Sequence, residues 1–237
     1  MADDGGARTK ALVVVFTRPS DFSQEASWSA WYDEEHLPAT AAAGGAWVVS
    51  RWETTDRPPG GSGPVGFIDM AIYELEDPAT APRLLDVLDG RRKPTGPVHV
   101  AHTIIGVDAF ETFGRWSAKT EPHAGLTGHV MAYVGPNDAT REAEWNAWYD
   151  AVHVVDMMGS GAFSNTTRGR RVSPQRFGPN FLTLYDVALP TIDEAVTRSG
   201  AAMGPAHAAG RILDCHAGGL RAALKPTGTH GAQGYRP

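Results

Sequence analysis

Nine residues of this chain occur twice. Trp28-Ser29-Ala30-Trp31-Tyr32-Asp33-Glu34-Glu35-His36 and Trp145-Asn146-Ala147-Trp148-Tyr149-Asp150-Ala151-Val152-His153 agree at six of nine positions, 117 residues apart. Four of the seven tryptophans fall in these two windows, so chance is a poor account of the match. Self-similarity at a spacing near half the chain predicts two related halves, each one supersecondary unit. With 237 residues and 42% hydrophobic content, each half has enough apolar material for a core of ordinary size.

The flanking pattern repeats as well. Ala11 to Thr17 is a β-branched run too short for a lone helix, and it precedes a polar loop and the Trp-rich helix. Gly44-Gly45 ends that helix, Ala46 to Glu53 reads as a second strand, and the loop Arg57-Pro58-Pro59-Gly60-Gly61 leads to a third at Phe67 to Leu75. Asp77-Pro78 starts a helix near Ala79 to Leu88, and Val98 to Val107 is expected as the fourth strand, giving βαββαβ. The second half places strands at His129 to Val134, Ala162 to Gly169 and Phe181 to Ala188. Ala201 to Leu213 reads either as an extension of its last helix or as a loop before a strand near Gly219 to Leu224. The domain reading is a first repeat over 9–113, a second over 127–225 and a flexible tail over 226–237.

A βαββαβ unit of the ferredoxin-like kind carries both helices on one face of its sheet and leaves the other face apolar. The second copy can cover that face, so two such repeats are expected to pack sheet against sheet within one chain. The fold class predicted is α+β, and the arrangement resembles the dimeric α+β barrel superfamily with its two subunits fused. Within it, Tyr32-Asp33-Glu34-Glu35-His36-Leu37-Pro38 resembles the first-helix motif Tyr-x-x-x-His-x-Pro of EthD-like and methylmuconolactone methylisomerase-like proteins. The second copy keeps Tyr149 and His153 but has Val155 where Pro38 would stand. The resemblance implies a small, cofactor-free lyase, isomerase or dehydratase acting on aromatic, lactone or polyketide-derived compounds, with the first-helix histidine facing a pocket between sheet and helices.

Helical spacing gives a separate reason to look at this face. At about 100° per residue, Trp28, Trp31, Tyr32 and Glu35 form one stripe with His36 at its edge. A half-buried imidazole there stays neutral and able to accept a proton. The second helix repeats the stripe and adds Asp156, placed to orient His153 as a carboxylate orients a general base unless the helix has already ended. Candidate catalytic residues are therefore His153, His36, Asp156, Tyr149 and Tyr32. Trp145, Trp148, Trp28 and Trp31 offer an apolar stacking wall, with plain core packing as the other role open to them. His129 and Tyr133 share a face of the first strand of the second half, replacing Leu12 and Phe16, and line either the helix-side pocket or the core between the sheets. Asp69, inside an apolar strand, needs a partner, for which Arg51 is the candidate.

Composition narrows the partners. The formal charge of -6 and the short basic clusters Arg91-Arg92-Lys93 and Arg168-Gly169-Arg170-Arg171 speak against nucleic acid. No apolar run has a membrane-spanning length and the N-terminus is polar, so a cytoplasmic location is expected. The lone Cys215 excludes an internal disulfide and a cysteine-built zinc site and reads as a small buried hydrophobe. Asp150, His153 and Asp156 are spread too widely on the helix to hold a metal. The leading expectation is a cofactor-independent lyase or isomerase that moves a proton on a hydrophobic, oxygenated small molecule, with no metal and no cofactor. The alternatives are a cofactor-free or heme-dependent monooxygenase of the same superfamily and a non-catalytic binding protein. A second copy of the fused barrel is the candidate protein partner.

Overall fold

The computed structural model describes residues 8–56, 66–90, 98–115, 125–173, 178–228, 234 and 236. The expected Pro/Gly-rich loop, the cluster Arg91-Arg92-Lys93 and most of the expected tail lie outside these residues. Each half follows the order strand, helix, strand, strand, helix, strand. The first half comprises β1 (Ala11–Pro19), α1 (Glu25–Trp31), a π turn (Tyr32–His36), α2 (Leu37–Gly44), β2 (Val48–Thr54), β3 (Asp69–Leu75), α3 (Ala81–Leu88) and β4 (His102–Arg115). The second comprises β5 (Gly128–Pro136), α4 (Glu142–Trp148), a π turn (Tyr149–His153), α5 (Val154–Gly159), β6 (Asn165–Arg171), β7 (Phe181–Val187), α6 (Ile192–Ala208) and β8 (His216–Pro226).

The eight strands form one closed barrel in the order β1-β3-β2-β8-β5-β7-β6-β4, with every pairing antiparallel. The architecture is α+β and consistent with a dimeric α+β barrel. Sheet-on-sheet packing alone does not describe it, because the halves also join edge to edge. β2 pairs with β8 through Trp52↔Pro226 and Thr54↔Leu224, and β4 pairs with β6 through Phe110↔Arg171 and Phe113↔Arg168. Closure satisfies the strand edges that two open sheets would expose. It also explains why β4 runs to Arg115 rather than ending at Val107: its second part pairs with β1 on one side and β6 on the other. β6 is shifted likewise from its expected span, β8 extends its expected span at both ends, and the Ala-rich stretch before β8 continues the helix to Ala208.

Packed side chains occupy the barrel interior. Leu12, Val14, Phe16, Trp52, Phe67, Met70, Phe110, Met131, Tyr133, Leu182 and Leu224 form one buried cluster drawn from both halves. On the outside, helices cover each sheet. In the first half Trp28, Tyr32, Leu37 and Leu84 pack on Val13, Val49 and Tyr73. In the second, Trp145, Tyr149 and Val154 pack on Val134 and Phe181. Both first helices start alike: Asp21 accepts the Ser23 backbone N–H at 2.9 Å and Asp138 accepts that of Thr140 at 2.9 Å, each opening a short 3-10 turn. Gly45, at φ 78, closes α2 in a left-handed conformation that only glycine adopts without strain. Among the described residues no helix is long and apolar enough to cross a membrane.

Candidate functional site

The repeated segment does not form a plain α-helix. In both halves it passes through a π turn that begins at the tyrosine and ends at the histidine, with Leu37 N–H bonding Tyr32 O and Val154 N–H bonding Tyr149 O. The extra residue in each turn rotates the histidine inward, so that it packs against the tryptophan five residues before it as well as the tyrosine. Ring centroids of Trp31 and His36 lie 4.7 Å apart, and those of Tyr32 and His36 5.1 Å. The second half has Trp148 and His153 at 5.5 Å and Tyr149 and His153 at 4.5 Å. Pro38, which has no N–H to give, sits at the start of α2 just after the turn, and its absence in the second half does not stop α5 from continuing.

A second histidine, outside the repeated segment and not marked by the repeat, completes each cluster. His102 begins β4 and His216 begins β8, and they hold equivalent register positions opposite Pro19 and Pro136. Trp28 Nε1–H donates to His102 Nδ1 at 3.2 Å, and Trp145 Nε1–H donates to His216 Nδ1 at 3.1 Å. The rings of His36 and His102 are 4.8 Å apart, and those of His153 and His216 5.8 Å. The two histidines of a half lie 66 or 63 residues apart in sequence, and their own separation of 114 departs from the 117 of the repeat, which hid the match.

Beneath each cluster lies a buried arginine, also at the 117-residue offset. Arg51 Nη1 donates to Ser29 Oγ at 2.9 Å and to Asp33 Oδ1 at 3.1 Å, while Nη2 donates to Asp69 Oδ2 at 2.7 Å. The expected Asp69 partner is thus in place. Arg168 donates to Asn146 Oδ1 at 2.7 Å and pairs with Asp150. Its guanidinium lies 4.4 Å from the Tyr149 ring and 5.3 Å from that of Trp145, as Arg51 lies 5.0 Å from Tyr32 and 5.2 Å from Trp28. The halves differ in charge. The strand position of Asp69 in β3 corresponds to Phe181 in β7, when Tyr73 is matched to Tyr185, and Phe181 packs over Arg168. Arg51 therefore faces two buried carboxylates, and Arg168 one whose side chain is 54% exposed.

Burial sets the protonation states. It holds His36 down at about 3, helped by neighbouring His102, and His102 at about 4, helped by His99. His153 is held at about 4 by burial and by His216, with Asp156 acting the other way, and His216 is lowered by burial and His207. All four imidazoles are neutral at pH 7. Burial raises the phenols of Tyr32 and Tyr149, which stay protonated. Burial works against the Arg51 charge, but Asp69 and Asp33 outweigh it and keep the guanidinium protonated.

The remaining candidates fall elsewhere. Asp156 is in helix, as the stripe requires, yet it does not orient His153. Arg211 takes both its oxygens, at 3.0 Å and 2.7 Å, and His153 Nδ1 is buried with no hydrogen-bond partner among the described residues. His129 and Tyr133 point into the barrel, away from His153: His129 Nδ1 lies 3.1 Å from Asp186 with its ring 4.1 Å from Trp52, and Tyr133 OH donates to Asp108 at 3.2 Å. The strand alternation that pairs them is right, but the face they share is the one between the sheets. Cys215 is free and buried.

Among the described residues no three His, Cys, Asp or Glu side chains converge to hold a metal. A heme iron does not fit the strand histidines either. A ligating imidazole nitrogen must be unprotonated while the other nitrogen donates its N–H outward. Here Nδ1 of His102 and His216 receives a hydrogen bond from an indole, which can only donate.

The chain matches no family model and no curated protein at a significant level. Solved structures do match in fold. A proposed monooxygenase from Fusobacterium nucleatum subsp. nucleatum superposes with a TM-score of 0.51 at 15% identity, covering 98% of this chain and 100% of the other. A variant of chlorite dismutase from Candidatus Nitrospira defluvii gives 0.57 at 8% identity over 93% of both chains. An anthrone oxidase-like protein gives 0.50 at 9% identity over 92% of both. At such identities the likeness is one of fold.

Proposed function

We propose that the protein is an enzyme that moves a proton on a hydrophobic, oxygenated small molecule, a lyase or isomerase working without a cofactor, and that its chain is a tandem fusion of two ferredoxin-like, EthD-like repeats. One observation carries the reading: in each half a neutral histidine, buried at His36 and half-buried at His153, is held against a Trp-Tyr wall by a π turn, above a buried arginine. Neutral imidazole is the proton-accepting form. A group with so low a pKa is a weak base, which favours a substrate whose conjugate anion the site itself stabilises, such as a carbon acid beside a carbonyl.

That requirement favours the second half. Arg168 has one carboxylate partner, half in solvent, where Arg51 has two buried ones, so the field at His153 tolerates a developing oxyanion better than that at His36. His153 would take the proton, Tyr149 and Arg168 would favour the anion from beneath, and Trp145 and Trp148 would pack the apolar body of the substrate. The test is deuterium exchange at the α-carbon of a panel of aromatic ketones and lactones, followed by NMR. His153→Ala should slow exchange ~100-fold or more. Exchange that survives in both His153→Ala and His36→Ala would falsify the reading.

A second reading draws on the fold neighbours, one described as a monooxygenase and one as anthrone oxidase-like. Proton abstraction at the same histidine would give a carbanion for dioxygen to attack, and oxygen consumption with an anthrone-type substrate separates this outcome from simple isomerisation.

A further inference from the structure

We propose that His102 and His216 are the fixed hydrogen-bond donors of the two sites: the indole N–H of Trp28 or Trp145 occupies Nδ1 and locks each ring as the Nε2–H tautomer, which presents that N–H to an oxygen of the substrate. The substrate class follows, a carbonyl compound with an acidic C–H beside the carbonyl. The proposal deepens the proton-transfer reading and rests on it.

The tautomer follows from hydrogen-bond chemistry. Indole nitrogen donates and cannot accept, so the imidazole nitrogen facing it carries a lone pair, and in a neutral ring the proton must then be on the other nitrogen. The contact recurs in both halves at 3.2 Å and 3.1 Å. The planes of indole and imidazole are close to parallel, at 22° in the first half and 8° in the second, which fixes the direction of the remaining N–H. The residues around the two histidines differ, Ala101 and Thr103 in one case and Cys215 and Ala217 in the other, so the shared contact is not a by-product of shared local sequence.

His102 Nε2 is buried with no hydrogen-bond partner among the described residues, and so is Nε2 of His36, whose ring is 4.8 Å away. An unmade hydrogen bond on a buried N–H costs about 1–3 kcal/mol, and a substrate oxygen there would recover it. The first site then has complementary halves, and the repeated Trp145–His216 contact extends the arrangement to the second. The helix histidine accepts the proton as the C–H bond breaks, the electron pair moves into the C–C bond as the carbonyl π electrons shift to oxygen, and the strand histidine donates Nε2–H to that oxygen. Reprotonation at another carbon completes an isomerisation, and loss of a β-leaving group completes an elimination.

Two-bond 15N–1H correlation NMR of the imidazoles at pH 7.5 reads the tautomer directly in the unmodified protein. His102 and His216 should show Nε2–H, and Trp145→Phe, which keeps the ring and removes the donor, should release His216 toward Nδ1–H. Binding of 4-nitrophenolate, an oxyanion probe, should weaken ~10-fold or more in His216→Ala, as for loss of a hydrogen bond to a charged acceptor. His216→Gln, whose amide N–H reaches the Nε2 position, should stay within ~3-fold of the wild type. An Nδ1–H tautomer in the unmodified protein overturns the proposal and leaves proton transfer by His153 standing. Phenolate that does not bind the unmodified protein, or binds equally to His216→Ala, overturns it too. The effect of His153→Ala on deuterium exchange decides the functional reading separately.

Discussion

Replacing Arg51 by methionine removes the cation that two buried carboxylates share. Asp33 and Asp69 are 5% and 1% exposed, so neither can turn to solvent without moving backbone. Breaking such a pair by deleting one partner costs about 3–5 kcal/mol, because a buried charge is left unpaired. With a urea slope of ~3 kcal/mol/M for a chain of this size, the unfolding midpoint should fall by ~1–1.7 M. Arg168→Met provides the internal control. Its carboxylate partner Asp150 is already exposed, and methionine keeps much of the packing against Tyr149 and Phe113, so the loss should be ~1–2 kcal/mol, or roughly 0.5 M. Adding Asp69→Leu to Arg51→Met should recover part of the loss, since an apolar pair replaces a buried carboxylate that has lost its arginine. Equal midpoints for the two arginine variants, or a larger loss for Arg168→Met, would refute the charge accounting that separates the halves.

Other outcomes follow from the same geometry. The site histidines are depressed below their unfolded value of about 6.5, so unfolding takes up protons once the pH drops below it; stability should be full above pH 6.5 and fall progressively toward pH 4, and His36→Phe should flatten that decline in thermal-midpoint measurements. A β-carbon at Gly128 would lie 2.4 Å from Leu224 O, so Gly128→Ala should force β5 from β8 and cost about 1–3 kcal/mol in a urea titration, whereas a neutral substitution would show that the barrel closes more loosely there. Residues 1–120 alone should aggregate or self-associate in light scattering, because Leu12, Phe16 and Phe110 lose the cover of Tyr133 and Leu182; a monodisperse folded monomer is the contrary result. Asp156→Asn should weaken the Arg211 clamp while changing turnover less than ~3-fold, and a ~10-fold drop would restore Asp156 as the orienting partner of His153.

The order of elements was legible because β-branched runs, Gly and Pro punctuation and the internal repeat agreed with one another. The full length of β4 was not. Asp108 and Glu111 interrupt its apolar pattern, and only the structure shows that Asp108 faces inward to meet Arg171 and Tyr133. The Trp-Tyr-His stripe was visible, but a regular 100° wheel cannot show a π turn, which is why His36 looked like an edge residue and is buried. Arg168 could have been found, since it repeats Arg51 at the same offset as the tryptophans. His102 and His216 were hidden by unequal connections before the last strand. Asp156 misled because spacing on a helix says which residues share a face and nothing about a cation arriving from the segment after α6.

Comparison of the two halves separates what the cluster needs from what each half can vary. Of the six identical positions in the repeated segment, the two tryptophans, the tyrosine, the aspartate and the histidine all meet around the buried arginine or the strand histidine, and only Ala30 and Ala147 stand outside. Positions that differ are at its border or on the other face of the sheet: Ser29 against Asn146 and Asp69 against Phe181 beneath the arginine, Leu12 against His129 and Phe16 against Tyr133 inside the barrel. Packing alone would tolerate apolar exchange at a tyrosine or histidine on a helix that already buries one indole and half-buries another. Instead both halves keep partly desolvated imidazoles beside a charged guanidinium, a combination costly to folding. Under the proposed proton transfer, a pair of neutral rings, one accepting and one donating, would give that cost a chemical purpose, and the missing second carboxylate at Arg168 would mark the half where an anion is held more readily.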